Sequence, residues 1–274
     1  MSLLHRFYIK LKIILILVMA SIRSKMEYQA TFIFMFFAII IFYAGQLGVI
    51  LVILAKFGSI NGWNLGDMAF LYSLLVFASA LTSLFFSALL GFETFIISGN
   101  FDRYLLRPIS PLAHILASNF EIHAIANLTL GSVALYYGAT KGQIEFTAIK
   151  LFYFVLTLLG ATLIQGAIRI AVSTVTFWTK RNRSLVHVVV FSTKEFILYP
   201  VSIYNFYVQV FLTVIFPVAF INYYPSHYFL NKDATGLMFT PLIQFMTPLV
   251  GIVLFTFAYM FWRFGINYYQ SAGH

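Results

Sequence analysis

The strongest constraint on this chain is a succession of apolar stretches too long and too poor in charge to lie in water. Residues 30–54 can cross a hydrocarbon core of about 30 Å, with Gln46 and a few small residues as the only interruptions. Residues 68–90 and 146–178 are two more stretches of the same kind. Composition agrees: 61% of residues are hydrophobic, 9% are charged and the mean hydropathy is +0.92, where a soluble globule carries about 25% charged residues. The chain reads as an all-α integral membrane protein. It has no cysteine, which removes disulfides, thiolate metal sites and Cys nucleophiles. The formal charge of +9 could suggest nucleic acid. However, the Lys and Arg residues sit beside apolar runs rather than in a basic domain of their own, which fits orientation in a membrane and argues against a nucleic-acid partner.

In chain order, residues 1–29 carry Arg6, Lys10, Lys12, Arg23 and Lys25 around an apolar stretch, residues 13–20, that is too short to span. A secretory signal peptide shares that outline. The basic residues directly after it and the full-length apolar run that follows favour an interfacial helix. A turn-rich loop at 56–67 leads into the second span. A third helix is expected from Pro111 to about residue 138, longer than a bilayer needs, with His114, Asn119 and Glu121 near the headgroups. The fourth span is 146–178. Residues 185–199 are interrupted by Lys194 and Glu195 and broken by Pro200, and 208–221 is a short apolar piece containing Pro217. Such a broken pair suggests a re-entrant feature, because non-helical backbone at membrane depth needs protein or a water-filled cavity around it.

Lys and Arg fall unevenly about these spans. One side takes the N-terminal five, Arg103, Arg107, Lys180, Arg181, Arg183 and Arg263, and the other takes Lys56, Lys141, Lys150 and Lys232. The positive-inside rule then makes the N-terminus and the loop containing Arg103 cytoplasmic.

That loop is Gly99-Asn100-Phe101-Asp102-Arg103-Tyr104-Leu105-Leu106-Arg107-Pro108-Ile109-Ser110-Pro111. Asn100 can cap a helix starting at Phe101, with Phe101, Tyr104 and Leu105 on one apolar face and Asp102, Arg103 and Arg107 around the rest. Pro108 ends the helix after about two turns, and Ser110 and Pro111 supply an N-cap and first residue for the next one. By itself such an amphipathic turn is either a solvated connector or a docking element.

The run resembles the loop between the second and third transmembrane helices of ABC-2 type permeases, in the subfamily that reads Gly-x-x-Asp-Arg-x-Leu-x-Arg-Pro. Asn222-Tyr223-Tyr224-Pro225 and the tail Tyr269-Gln270-Ser271-Ala272-Gly273 match two further marks of that subfamily. His274 stands where a final Ser is usual, and Asn267 and Tyr268 where a basic residue is common. The resemblance covers essentially the whole chain.

It implies a single transmembrane domain over 1–274 with six transmembrane helices. It also implies an N-terminal cytoplasmic interfacial helix (1–29), a cytoplasmic coupling loop (92–111), and a re-entrant and external segment (200–240) between helices five and six. Residues 222–240 would be external, 241–262 helix six, and the tail cytoplasmic. Phe101, Tyr104 and Leu105 would fill a groove on a separate ABC ATPase subunit. Asp102, Arg103 and Arg107 would fix register, Gly99 and Pro108 would shape the ends, and Leu106 would belong to the same surface. ATP and Mg would reside on that ATPase, with none bound by this chain. A second ABC-2 permease, a paralogue or an identical copy, would complete a pathway through the inner (plasma) membrane for export.

Other chemistry is missing or weak. There is no Gly-x-x-x-x-Gly-Lys-Ser/Thr loop to cradle ATP phosphates, and no His-Glu-x-x-His or Gly-x-Ser-x-Gly motif. No catalytic or metal residues are assigned. Glu121 and His123, two apart, fall on different helix faces, and an interfacial hydrogen-bonded pair is the plain reading of them. Arg169, Lys194 and Glu195 are charges within spans, each conventionally costing about 2.5–3.5 kcal/mol at a helix centre, and are the candidate pathway residues, with structural pairing or snorkelling as the alternative. A membrane scaffold or channel acting without an ATPase is the rival function, and an intramembrane enzyme a more distant one.

Overall fold

The computed structural model describes residues 3–27, 29–121, 124–232 and 240–271, and its elements there are helical. Among the described residues, four helices are long and apolar enough to cross a membrane: Gln29–Phe57, Leu65–Ile97, Ala148–Thr179 and Thr247–Ile266. A bent pair, Phe206–Ile215 with Ala219–Phe229, makes a fifth candidate if its two arms, 104° apart, count as one span.

The first helix, α1 (Leu3–Met26), is followed by α2 (Gln29–Phe57). Little of α2 is buried within the chain, and many of its Phe, Ile and Val side chains are exposed. Tyr72 Oη holds it to the next helix by donating to Tyr43 O at 2.7 Å.

The centre of the bundle is α3 (Leu65–Phe86), whose residues Gly66 to Val76 are all buried. It starts with a reciprocal capping box: Asn64 Oδ1 accepts from Asp67 N, and Asp67 Oδ2 accepts from Asn64 N, both at 3.0 Å. Asp67 also pairs with Lys232 at 2.8 Å, and Lys232 lies over the Trp63 ring at 4.7 Å. These contacts fasten the loop after α2 to the end of a helix far along the chain.

After α3 the chain passes through a 3-10 turn, Ser87–Gly91, into α4 (Phe92–Ile97), then α5 (Phe101–Leu105) and α6 (Pro111–Ser118). The expected single helix from Pro111 to about 138 is instead two. The chain breaks at Asn119, which leaves the helical region (φ −130°, ψ 47°), and resumes as α7 (Ile125–Lys141). Ser87 Oγ donates to Asn119 O at 3.1 Å, so the break is held by the corner after α3. At the same break, α1 docks through the Lys25–Glu121 ion pair and a Ser21 Oγ to Phe120 O hydrogen bond. His123 lies outside the described residues, so the Glu121–His123 pairing does too.

Helix α8 (Ala148–Thr174) and its short continuation α9 (Thr176–Thr179) form the long fourth stretch, as expected. The next stretch is α10 (Arg183–Leu185), a π-helical run Val186–Ser192, and α11 (Thr193–Phe196). Then come α12 (Phe206–Val210), a second π-helical run Phe211–Ile215, and α13 (Ala219–Phe229). Here the expected break appears, between Ile215 and Ala219, and Asn222, Tyr223, Tyr224 and Pro225 follow it. They are buried within α13. Asn222 Nδ2 donates to Ile197 O at 2.7 Å, and Thr213 and Tyr224 share a 2.7 Å hydroxyl contact. A 0%-exposed Asn is tolerated there because its amide ties the break after α11 into the core. Of the expected external segment, residues 233–239 lie outside the described residues. A 3-10 turn, Pro241–Phe245, leads to α14 (Thr247–Ile266).

Small residues let the main helices touch. A Cβ built on Gly251 of α14 would lie 2.5 Å from Gly160 O of α8, and one on Gly138 of α7 would lie 2.5 Å from Phe70 N of α3. Close backbone approach of this kind is how helices gain packing where lipid supplies no hydrophobic drive.

Candidate functional site

The end of the bundle opposite the Asp67–Lys232 pair is built around aromatic packing. Phe92 of α4, Phe101 of α5, Phe177 of α9 and Trp262 of α14 form one buried cluster, with ring centroids 5.0–5.5 Å apart around Phe92. Tyr269, beyond the end of α14, closes it with an edge contact to Phe101 at 4.8 Å.

The helix at Phe101–Leu105 is present but shorter than two turns, and it is not capped by Asn100. Asn100 has helical angles, and its side chain donates to Ser98 Oγ at 2.8 Å instead. The chain enters through Gly99 at φ +68°, a left-handed conformation that a side chain would disfavour. The next helix starts as expected: Ser110 Oγ accepts from Ala113 N at 3.3 Å, with Pro111 in the first position.

The apolar face divides in a way its periodicity does not reveal. Phe101 is 0% exposed and belongs to the chain's own core. It is therefore unavailable to a partner in this conformation and acts as the anchor of the corner. Tyr104 is half-buried, stacked edge-on to His114 at 4.8 Å. Leu105 and Leu106 point outward, Leu106 at 87% exposure, and Arg103, Arg107 and Pro108 are exposed with them. Asp102 turns back to the tail, where Ser271 Oγ donates to its Oδ2 at 2.6 Å. Burial first, and the same carboxylate second, push the Tyr269 phenol up to about 12. Two sequence marks 169 positions apart thus meet in space. The remainder of the tail mark, Ala272 and Gly273, and His274 lie outside the described residues.

Phe95, Asn100, Arg103, Tyr104, Arg107 and His114 line an open cavity of about 300 Å³ beside the corner. Burial first, and the Arg107 charge second, hold the His114 imidazole below its usual pKa of 6.5. Its lowered folded value means that the unfolded chain takes up the proton first. The stability contributed by neutral His114 is therefore complete above about pH 6.5 and declines as pH falls below it. We expect the melting temperature to drop more in the wild type than in His114→Gln between about pH 7.5 and about pH 5.5. Equal drops in thermal scans of both proteins would refute the assignment.

A contact that sequence reasoning missed fixes the basic cluster nearby. Glu93 Oε2 accepts from the backbone N–H groups of Asn182 (2.8 Å) and Arg183 (3.0 Å). This satisfies free donors at a helix start and leaves Lys180, Arg181 and Arg183 exposed on the same end. Its only sequence signal is an acidic residue and a basic loop, 90 positions apart.

Arg169 lies in the candidate span Ala148–Thr179, and Lys194 and Glu195, which lie in none of the candidate spans, come near it at the break in the fifth stretch. Arg169 is buried and reaches Thr82 O and Ser83 Oγ of α3 at 3.4 Å, and it shares a small cavity with Lys194. Glu195 does not line that cavity; its Oε1 accepts from Gln46 Nε2 at 3.2 Å.

These features define a multi-pass helical membrane protein with a polar, basic end and a bent helix pair whose second arm, α13, is buried in the bundle. Residues 40–273 match a family model described as ABC-2 family transporter protein, and the chain belongs to that family of membrane transport components. No curated protein and no solved structure matches it.

Proposed function

We propose that the chain is the transmembrane permease subunit of an ATP-driven ABC-2 type exporter and is itself non-catalytic. It would couple ATP hydrolysis by a separate ABC ATPase subunit, which carries ATP and Mg, to substrate export. The observation that carries this is the corner at α5. Arg103, Leu105, Leu106 and Arg107 are exposed there, while Phe101 beneath them is locked into a core shared with α4, α9, α14 and the tail. An apolar tip flanked by two guanidinium groups suits a groove with acidic edges. Its attachment to four separate elements suits the transmission of movement.

In this reading α7 and the stretch Arg183–Phe196 serve as the third and fifth crossings, giving six with a re-entrant pair at α12–α13. The end carrying Arg103, the Lys180 cluster and Arg263 faces the cytoplasm across an inner (plasma) membrane, with both termini on that side and α1 lying along the surface. That end also receives α1 through Lys25 and Glu121, so its excess of positive charge supports this orientation. A second ABC-2 permease, paralogue or identical copy, would supply the other half of the pathway, and Arg169, Lys194 and Glu195 would border it.

The test is affinity purification of the tagged protein from its native membrane in mild detergent, with mass spectrometry of the recovered proteins. Recovery of a P-loop ATPase, with or without a second permease, is expected. Repeated recovery of this chain alone, while control ABC complexes survive the same detergent, would overturn the reading in favour of a scaffold or channel.

A further inference from the structure

The cavity at the break in the fifth stretch is lined by two buried donors that have no partner among the described residues. Arg169 is 3% exposed; its two terminal nitrogens each make one contact to α3, and its Nε has no partner among the described residues. Gln165, one turn earlier on α8, is 6% exposed. Its Oε1 accepts from Ser79 Oγ at 3.3 Å, which leaves Nε2 without a partner. Both residues line a cavity of about 20 Å³, which Lys194 borders from α11. Much of the remaining wall is apolar, including Val190 and Ile197.

The side-chain nitrogens of Arg, Lys and Gln donate hydrogen bonds and accept none. Buried donors are costly when unmet, and a low-dielectric wall strengthens whatever charge does meet them. The volume admits one small body, such as a water, a monatomic ion or one oxygen of a carboxylate. A water could offer lone pairs to the donors but no charge; Glu195, whose Oε1 accepts from the neutral Gln46 amide, keeps its own negative charge and offsets one of the two cationic side chains, which leaves one positive charge for a bound group to meet.

We propose that this cavity binds a compact, singly charged anionic group. Two sources present that chemistry: a free halide, or the carboxylate head of an amphipathic molecule. The second source, as cargo, rests on the permease reading; the first does not.

The test uses the full-length protein with whatever partners copurify, in neutral detergent and halide-free sodium sulfate, whose doubly charged anion is too large for the cavity. Sodium bromide, sodium dodecanoate and, as control, dodecanol are titrated while the melting temperature is followed by tryptophan fluorescence. A saturable rise is expected with bromide, dodecanoate or both. Lys194→Gln should weaken half-saturation about tenfold or more, and Lys194→Arg should stay within about threefold of wild type. A response to bromide alone assigns the site to free ions, and one to dodecanoate alone to the amphiphile head. The proposal is overturned if neither anion gives a saturable rise, if dodecanol reproduces a dodecanoate response in the absence of a bromide one, or if Lys194→Gln titrates like wild type. ATPase recovery is scored on the same preparation. Its absence beside an intact anion response would remove the permease reading and leave the site standing.

Discussion

Exchanging Arg103 and Arg107 together for Glu is expected to reduce recovery of the ATPase with the purified protein about tenfold or more, since like-charge contacts at an interface cost several kcal/mol and about 1.4 kcal/mol is a factor of ten. Both side chains are exposed, and surface substitutions ordinarily stay within about 0.5 kcal/mol of wild type. The membrane part should therefore keep its helical content and melting temperature. The measurement is quantitative copurification, paired with circular dichroism on the same sample. Undiminished ATPase recovery from a folded double variant would remove the docking assignment from α5.

Phe101→Ala is expected to act through the opposite route. Truncating a fully buried Phe costs about 3–5 kcal/mol where the surroundings collapse only in part. Here the ring is held by Phe92, Phe177, Trp262 and Tyr269. The variant should melt earlier, and Trp262, at 6.3 Å from the lost ring, should report it by fluorescence. Phe101→Leu should recover part of the loss by refilling volume. If Phe101→Ala melts like wild type and merely loses ATPase, then the ring is a partner contact and its inward placement is wrong.

Those two results bear on how far sequence alone can reach. A 3.6-residue period groups Phe101, Tyr104 and Leu105 on one face, but it cannot say whether that face meets the chain's own core or another protein's groove. The structure splits the face between the two. Asn100 is a reasonable cap by residue type, yet its backbone is itself helical (φ −61°, ψ −20°) rather than in the extended geometry from which a cap's oxygen reaches the first free N–H groups. The long spans were legible because length and lack of charge suffice to define them. The interruption at Asn119 was not, because it depends on Ser87, a residue 32 positions earlier. Likewise, Asn222-Tyr223-Tyr224-Pro225 is legible in the sequence only as a subfamily mark; its burial depends on Ile197 and Thr213, which supply hydrogen bonds to Asn222 and Tyr224. The contact between Asp102 and Ser271 was present in the sequence only as two separate marks of one subfamily.

The contact between Gly160 and Gly251 bears on how such a molecule can move. With bare backbone against bare backbone and no side chain between them to change rotamer, α8 and α14 have little freedom to slide or separate. They should swing as one beam, carrying Trp262 and Phe177 at its basic end. Bending then falls to the joints outside the beam, at Asn119 and at the elbow between α12 and α13. Stiffness along one pair of helices would thus decide where compliance must lie in the rest.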